Sequence, residues 1–175
     1  GKIPFATSFA MFAAGRAYEQ VRNSVAYPKL NVKIVGSHAG ISVGEDGATH
    51  QCLEDIALMR ELPGMVVLNP SDHYEMKAAV KAAAEHYGPV YIRLGRLAVE
   101  SFNNGDDYKF ELGKGITLRG GKDIAIIATG LMVSRALEAV KALEKKGIDA
   151  RLINIHTIKP IDRDIIIKAA KETGK

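Results

Sequence analysis

Pro63-Gly64-Met65-Val66-Val67-Leu68-Asn69-Pro70-Ser71-Asp72 decides how this chain folds. Pro63-Gly64 ends one helical pattern and starts a strand. Met65–Leu68 is a short apolar run without polar alternation, as expected of a strand covered on both faces. Pro70-Ser71-Asp72 opens the next helix, and Glu75 falls three residues after Asp72, the spacing of a capping box.

The same alternation extends in both directions. Val32–Val35, Val90–Leu94, Asp123–Ala128 and Ala150–Ile155 read as further buried strands. Helical patterns lie between them, at roughly Phe9–Val25, His50–Glu61, Asp72–Glu85, Leu131–Lys146 and Asp162–Thr173. Val133, Ala136, Leu137, Val140 and Leu143 make one apolar stripe. Lys145-Lys146-Gly147 closes that helix with cations and a C′ glycine. Strand–helix–strand spacing of this kind predicts an α/β fold: a doubly wound, mostly parallel sheet with helices on both faces. Ser101-Phe102-Asn103-Asn104-Gly105-Asp106-Asp107 is polar and turn-rich, and four glycines follow closely. We therefore expect a first domain over 1–101, a linker over 102–122 and the start of a second α/β domain over 123–175. By pattern the second unit holds only two strands and two helices, too few to bury both faces of a sheet. The expectation is a piece of something larger, or a chain that needs a partner.

Composition sets the class. Of 175 residues, 47% are hydrophobic and 25% charged, which supplies a core and argues against disorder. The net charge of +4 comes without a Lys/Arg run, so it suits anionic small ligands better than nucleic acid. No apolar stretch is long enough for a membrane span. The single cysteine, Cys52, excludes an internal disulfide and a Cys-based zinc site, and a cytoplasmic location is the default.

Chemistry concentrates in Ser37–Gln51, which holds His38 and His50, Glu45 and Asp46, and three glycines. Neutral imidazoles donate, accept or shuttle protons near pH 7. His50 reads equally as a residue in the first turn of a helix capped by Thr49. Glu45-Asp46-Gly47 reads either as a hairpin-type turn or as a carboxylate for substrate hydroxyls. Phe5, Phe9 and Phe12 recur near one helical face, as core or as a flat wall for an aromatic heterocycle. Arg93 and Arg96 follow strand Val90–Leu94 at its carboxyl end, where ligands of open parallel sheets sit, and Arg96 is the stronger phosphate candidate. Cys52 falls on an early helical turn by pattern. His73, His86 and His156 have no chemical company.

Taken together, these segments resemble the transketolase family. The resemblance rests on Phe9–Arg22, on His38–Gln51 with its Gly-Glu-Asp-Gly-Ala-Thr-His-Gln run, on Arg60–Met65, on Asn69–Asp72 and on Arg93–Arg96, in the family's order and spacing. It covers essentially the whole chain. Residues to about 101 resemble the pyrimidine-binding domain, and those from about 122 the opening of the C-terminal domain.

The resemblance implies thiamine-diphosphate-dependent transfer of two-carbon ketol units between sugar phosphates, an activity of the pentose phosphate pathway. By position it implies that Phe12, with Phe9 beside it, faces the aminopyrimidine ring. It implies that Asp46 holds a donor-sugar hydroxyl, that His50 bonds the substrate near the reacting centre, and that His38 and Arg96 bind its phosphate. The family's glutamate that protonates the aminopyrimidine is expected upstream of Gly1, and Glu45 is not that residue. The cofactor is expected to be shared with a partner chain. A diphosphate-binding domain or subunit would hold Mg2+, with no metal on this chain, in a homo- or hetero-oligomer. The chain alone is expected to be inactive. Deoxyxylulose-phosphate synthase shares the loop but usually carries Asp-Arg-Ala where this chain has Ser37-His38-Ala39. The β subunits of 2-oxo-acid dehydrogenases lack the loop in this form. A non-catalytic assembly module is the alternative from another class.

Overall fold

The computed structural model describes residues 1–103, 105 and 108–175. Among these residues eight strands form two sheets. The first sheet contains β1 (Phe5–Phe9), β2 (Lys33–Ser37), β3 (Val66–Leu68), β4 (Val90–Arg93) and β8 (Thr157–Lys159), in the order β1-β2-β4-β3-β8. The first four run parallel, and β8 joins antiparallel to β3. The second sheet holds β5 (Ile116–Arg119), β6 (Ile124–Ala128) and β7 (Ala150–Asn154), in the order β5-β7-β6.

Side-chain alternation assigns the faces. Ile34, Val67 and Tyr91 point to one side of the first sheet, against the helical stretch at 11–26 and Met59 of α2 (Asp55–Glu61). Val35, Val66, Leu68, Val90 and Ile92 point to the other, against Ala79 and Ala83 of α3 (His73–Glu85). The second sheet repeats the plan. Leu152 packs with Ala136 and Val140 of α4 (Met132–Glu144), and Ile153 packs with Ala169 of α5 (Arg163–Glu172). The doubly covered α/β architecture read from the sequence is therefore present. Each fully buried Leu or Ile contributes roughly 1.5–3 kcal/mol, so both faces must be covered for the sheet to hold.

Three strands escaped the sequence pattern. β1 precedes the first of the expected strands and carries Phe5 and Phe9, which are therefore not on a helix. β5 lies inside the stretch expected to be a linker, and pairs antiparallel with β7. β8 crosses to the first sheet and ties the two units together. Lys159 strengthens that tie, its Nζ donating to Arg60 O at 2.8 Å and Leu62 O at 2.7 Å at the carboxyl end of α2. Of the turn-rich stretch at 101–107, Asn104, Asp106 and Asp107 lie outside the described residues.

The predicted helix starts are accurate where an acid caps them. Asp72 accepts from the Glu75 amide at 2.9 Å and Asp162 from the Ile165 amide at 3.2 Å. The helix predicted from His50 starts instead at Asp55, so Thr49 caps nothing and His50 stays in the loop. The helical stretch after β1 is wider than an α-helix. Met11–Arg16 and Val21–Ala26 are π-helical and flank a short α1 (Tyr18–Gln20), with Ala17 N–H bonded five residues back to Phe12 O at 3.1 Å. Lys33, inside an apolar run, is fully buried. Its Nζ is saturated by Asn31 Oδ1 at 2.6 Å, His86 O at 2.8 Å and Gly88 O at 2.7 Å, and burial lowers its pKa.

Candidate active site

β1 and β2 are parallel neighbours, with Phe9 level with Ser37. Their carboxyl ends therefore deliver Phe9 and His38 to the same place. His38 takes φ +57°, a conformation disfavoured for a residue with a Cβ. Its ring lies flat on Phe9, with centroids 3.9 Å apart and planes 13° from parallel. Phe12, in the first π-helical turn, lies nearly parallel to Phe9 at 6.0 Å. His50 meets both phenylalanines edge-on, at 5.2 Å from Phe12 and 6.0 Å from Phe9. Arg16 places its guanidinium 4.4 Å from the Phe12 centroid, a cation–π contact.

The loop between the two histidines is pinned at its base. Gly40 N–H donates to Cys52 O at 2.8 Å, and Ala39 N–H to Leu94 O at 2.9 Å. Within it, Gly44–Asp46 forms a 3-10 turn rather than a hairpin-type turn, and Gly47 follows at φ +69°. His38 Nδ1 pairs with Ser37 Oγ at 3.0 Å, and His50 Nδ1 with Thr49 Oγ1 at 2.9 Å. No hydrogen bond among the described residues engages either Nε2. Two half-buried imidazoles are thus fixed through one nitrogen and open at the other, the arrangement a proton carrier or substrate ligand needs.

Of the residues singled out from sequence, Phe9, Phe12, His38 and His50 converge in one cluster. Asp46 and Arg96 stay exposed on their loops, and neither forms an ion pair among the described residues. Arg93 is already engaged. Its Nε donates to Asp55 Oδ2 at 2.9 Å, and Tyr91 OH donates to the same oxygen at 2.8 Å. Cys52 lies on an isolated bridge before α2, not on a helical turn. Burial, with Asp55 nearby, pushes its thiol pKa up, against the activated reading. His156 is no isolated histidine. It is buried against Phe110 at 4.1 Å, and burial lowers its pKa. Sequence reasoning missed Arg16, although its position four residues after Phe12 is the spacing of neighbours on a helix face. It also missed Ser37 and Thr49, whose roles depend only on which ring nitrogen they meet.

Comparison with known proteins adds the following. Residues 1–101 match the model of the transketolase pyrimidine-binding domain, and residues 113–175 that of the transketolase C-terminal domain. A protein of Methanocaldococcus jannaschii named as a transketolase C-terminal section is 55% identical over 97% of this chain and 54% of its own length. A 1-deoxy-D-xylulose-5-phosphate synthase 1 of Geobacter sulfurreducens is 39% identical over 91% of this chain and 25% of its own. A solved structure described as a split-gene transketolase in an inactive β4 tetramer superposes with TM-score 0.91 and 53% identity, over 99% of this chain and 56% of that one. The chain spans about half the length of several curated relatives it matches.

Proposed function

The chain belongs to the transketolase family, and from that premise we propose that it forms the aminopyrimidine and substrate side of a site for two-carbon ketol transfer between sugar phosphates. The observation that carries this reading is the four-ring cluster of Phe9, Phe12, His38 and His50, with open Nε2 atoms beside a flat apolar wall.

The wall fits the implied cofactor. Phe9 and Phe12 lie 8° from parallel and are half-buried, so they present aromatic surface to a heteroaromatic ring. When bound, thiamine diphosphate supplies the nucleophilic carbon that carries the two-carbon unit. Everything else falls to side chains. Phe12, backed by Arg16, orients the aminopyrimidine. His50 donates to or accepts from the substrate oxygen next to the reacting carbonyl. Asp46, acceptor-only when ionised, takes a donor-sugar hydroxyl. His38 and Arg96 hold the phosphate end. Mg2+ and the diphosphate are assigned to a partner domain or subunit, so the chain by itself is inactive. The rival, a deoxyxylulose-phosphate synthase, has the weaker support: lower identity, and Ser37-His38-Ala39 in place of Asp-Arg-Ala.

The test is a ketol-transfer assay with xylulose 5-phosphate, ribose 5-phosphate, thiamine diphosphate and magnesium. It is run on the chain alone and on the chain mixed with a subunit carrying the diphosphate-binding domain. Activity only in the mixture is the expected result. Turnover by the chain alone overturns partner dependence. A mixture that binds cofactor but condenses pyruvate with glyceraldehyde 3-phosphate instead overturns the choice of reaction.

A further inference from the structure

A cavity of about 250 Å3 is lined by none of the four clustered rings. Neither His38 nor Arg96 lines it. It opens where four strands end. β2 leads into Gly40 and Ser42, β3 into Asn69, β4 ends at Arg93, and β6 leads into Thr129. In open α/β sheets the crevice outside the carboxyl ends of the strands is where ligands bind. Here the carboxyl ends from both sheets face one cavity.

Arg93 is the charged side chain among its lining residues. It is 18% exposed, and its Nε edge is locked by Asp55, which is fully buried. The outer edge, Nη1 and Nη2, has no hydrogen-bond partner among the described residues. Gly40 keeps that edge open, since a Cβ there would stand 3.5 Å from Nη2 and, at φ +84°, would be strained as well. A planar pair of donors held rigidly at the base of a cavity matches the two oxygens of a carboxylate. Asp55 offsets much of the guanidinium's charge, which favours a monoanion over a phosphate dianion. The mouth is apolar: Ile41, Leu53 and Met132 are 72%, 66% and 59% exposed.

We propose that this cavity binds a small monocarboxylate with a short apolar body, its carboxylate on the outer edge of Arg93 and its body against Leu53 and Met132. None of the side chains invoked here is one proposed above to hold the sugar phosphate, and the site stands or falls independently of the ketol-transfer reading.

The test is saturation-transfer NMR on the intact protein, in the assembly in which it is purified. The probes are propionate, butyrate and isovalerate, with inorganic phosphate for comparison. A ligand of this size in such a pocket should bind with Kd on the order of 1 mM. Met132→Asp places a like charge at the mouth and should weaken butyrate by about fivefold or more. Met132 is mostly exposed in the first turn of α4, where an acid suits the helix, so this variant should fold. Arg93→Lys keeps a charge beside Asp55 but loses the planar fork, and should weaken butyrate as well. Arg96→Ala should leave butyrate affinity unchanged. The proposal is overturned by any of three results: none of the three carboxylates binding at about 20 mM, phosphate binding more tightly than butyrate, or affinity that depends on Arg96 and not on Met132.

Discussion

The loop from Ser37 to Gln51 and the seam around Glu75 are both crowded with polar side chains, and they are built in opposite ways. In the seam both carboxylate oxygens of Glu75 are spent. Glu75 is fully buried, and its carboxylate accepts from the Ser71 amide at 2.7 Å, the Ser71 hydroxyl at 2.6 Å, Asn154 Nδ2 at 2.9 Å and the Tyr108 hydroxyl. These donors come from the loop after β3, from β7 of the second sheet and from the connection between the sheets, so one carboxylate joins three parts of the chain. In the loop, Asp46 is exposed and both imidazoles keep a nitrogen open. What separates structure from chemistry here is saturation of hydrogen-bonding capacity, which residue type does not reveal. A buried carboxylate without its donors is costly, whereas an exposed one is at ease in water and free to take a ligand.

That contrast can be broken most directly at Glu75. Glu75→Ala strands four donors in the interior and should destabilise the fold by about 3 kcal/mol, read from denaturant unfolding. A loss within about 0.5 kcal/mol, the level of an ordinary surface change, would show that the seam is not what binds the two sheets.

His50→Ala should behave in the opposite way. Ketol transfer by the assembly containing its diphosphate-domain partner should fall about 100-fold, which is about 2.7 kcal/mol, with stability nearly unchanged. An unfolding midpoint that falls in step with activity would place His50 with the structural residues instead.

Phe12→Ala should weaken thiamine diphosphate about tenfold in the assembled enzyme, worth about 1.4 kcal/mol, measured by cofactor titration. Unchanged affinity would leave the aromatic wall as mere packing.

Asp72 sharpens the seam's side of the comparison through pH. Burial by itself would raise its carboxyl pKa, but the Asn103 side chain and the Glu75, Asn103 and Phe102 amides outweigh it, and the net direction is below the ordinary 3.8. The unfolded chain therefore takes up the proton first. The stabilisation is present above about pH 4 and is lost as pH falls through the lower folded value. Asp72→Asn should cost about 1 kcal/mol at neutral pH, and the difference should close in acid, read as unfolding midpoints against pH. A difference that does not vary with pH would mean the cap acts without its charge.

Much of the fold was legible in the sequence because local signals agreed with it. Continuous apolar runs marked β2, β3, β4, β6 and β7, and acids at Asp72 and Asp162 marked helix starts, since a cap acts within one turn of chain. The loop and the Phe9–Arg22 segment each carried two of the four rings that converge, and both were singled out from sequence. What was not legible depends on partners distant in sequence. β8 is a strand because β3 offers it an edge, and β5 because β7 does. Lys33 hides in an apolar strand because two carbonyls far along the chain, of His86 and Gly88, join Asn31 Oδ1 around its ammonium. Thr49 looked like a helix cap until α2 began at Asp55. Patterns a few residues long dictate the parallel layers and the helices that cover them, and the residue types of the site are written in the chain itself. Tertiary structure alone decided which polar groups are saturated and which stay open, because hydrogen-bond partners are assigned by proximity in space, and that is what separates the seam from the site.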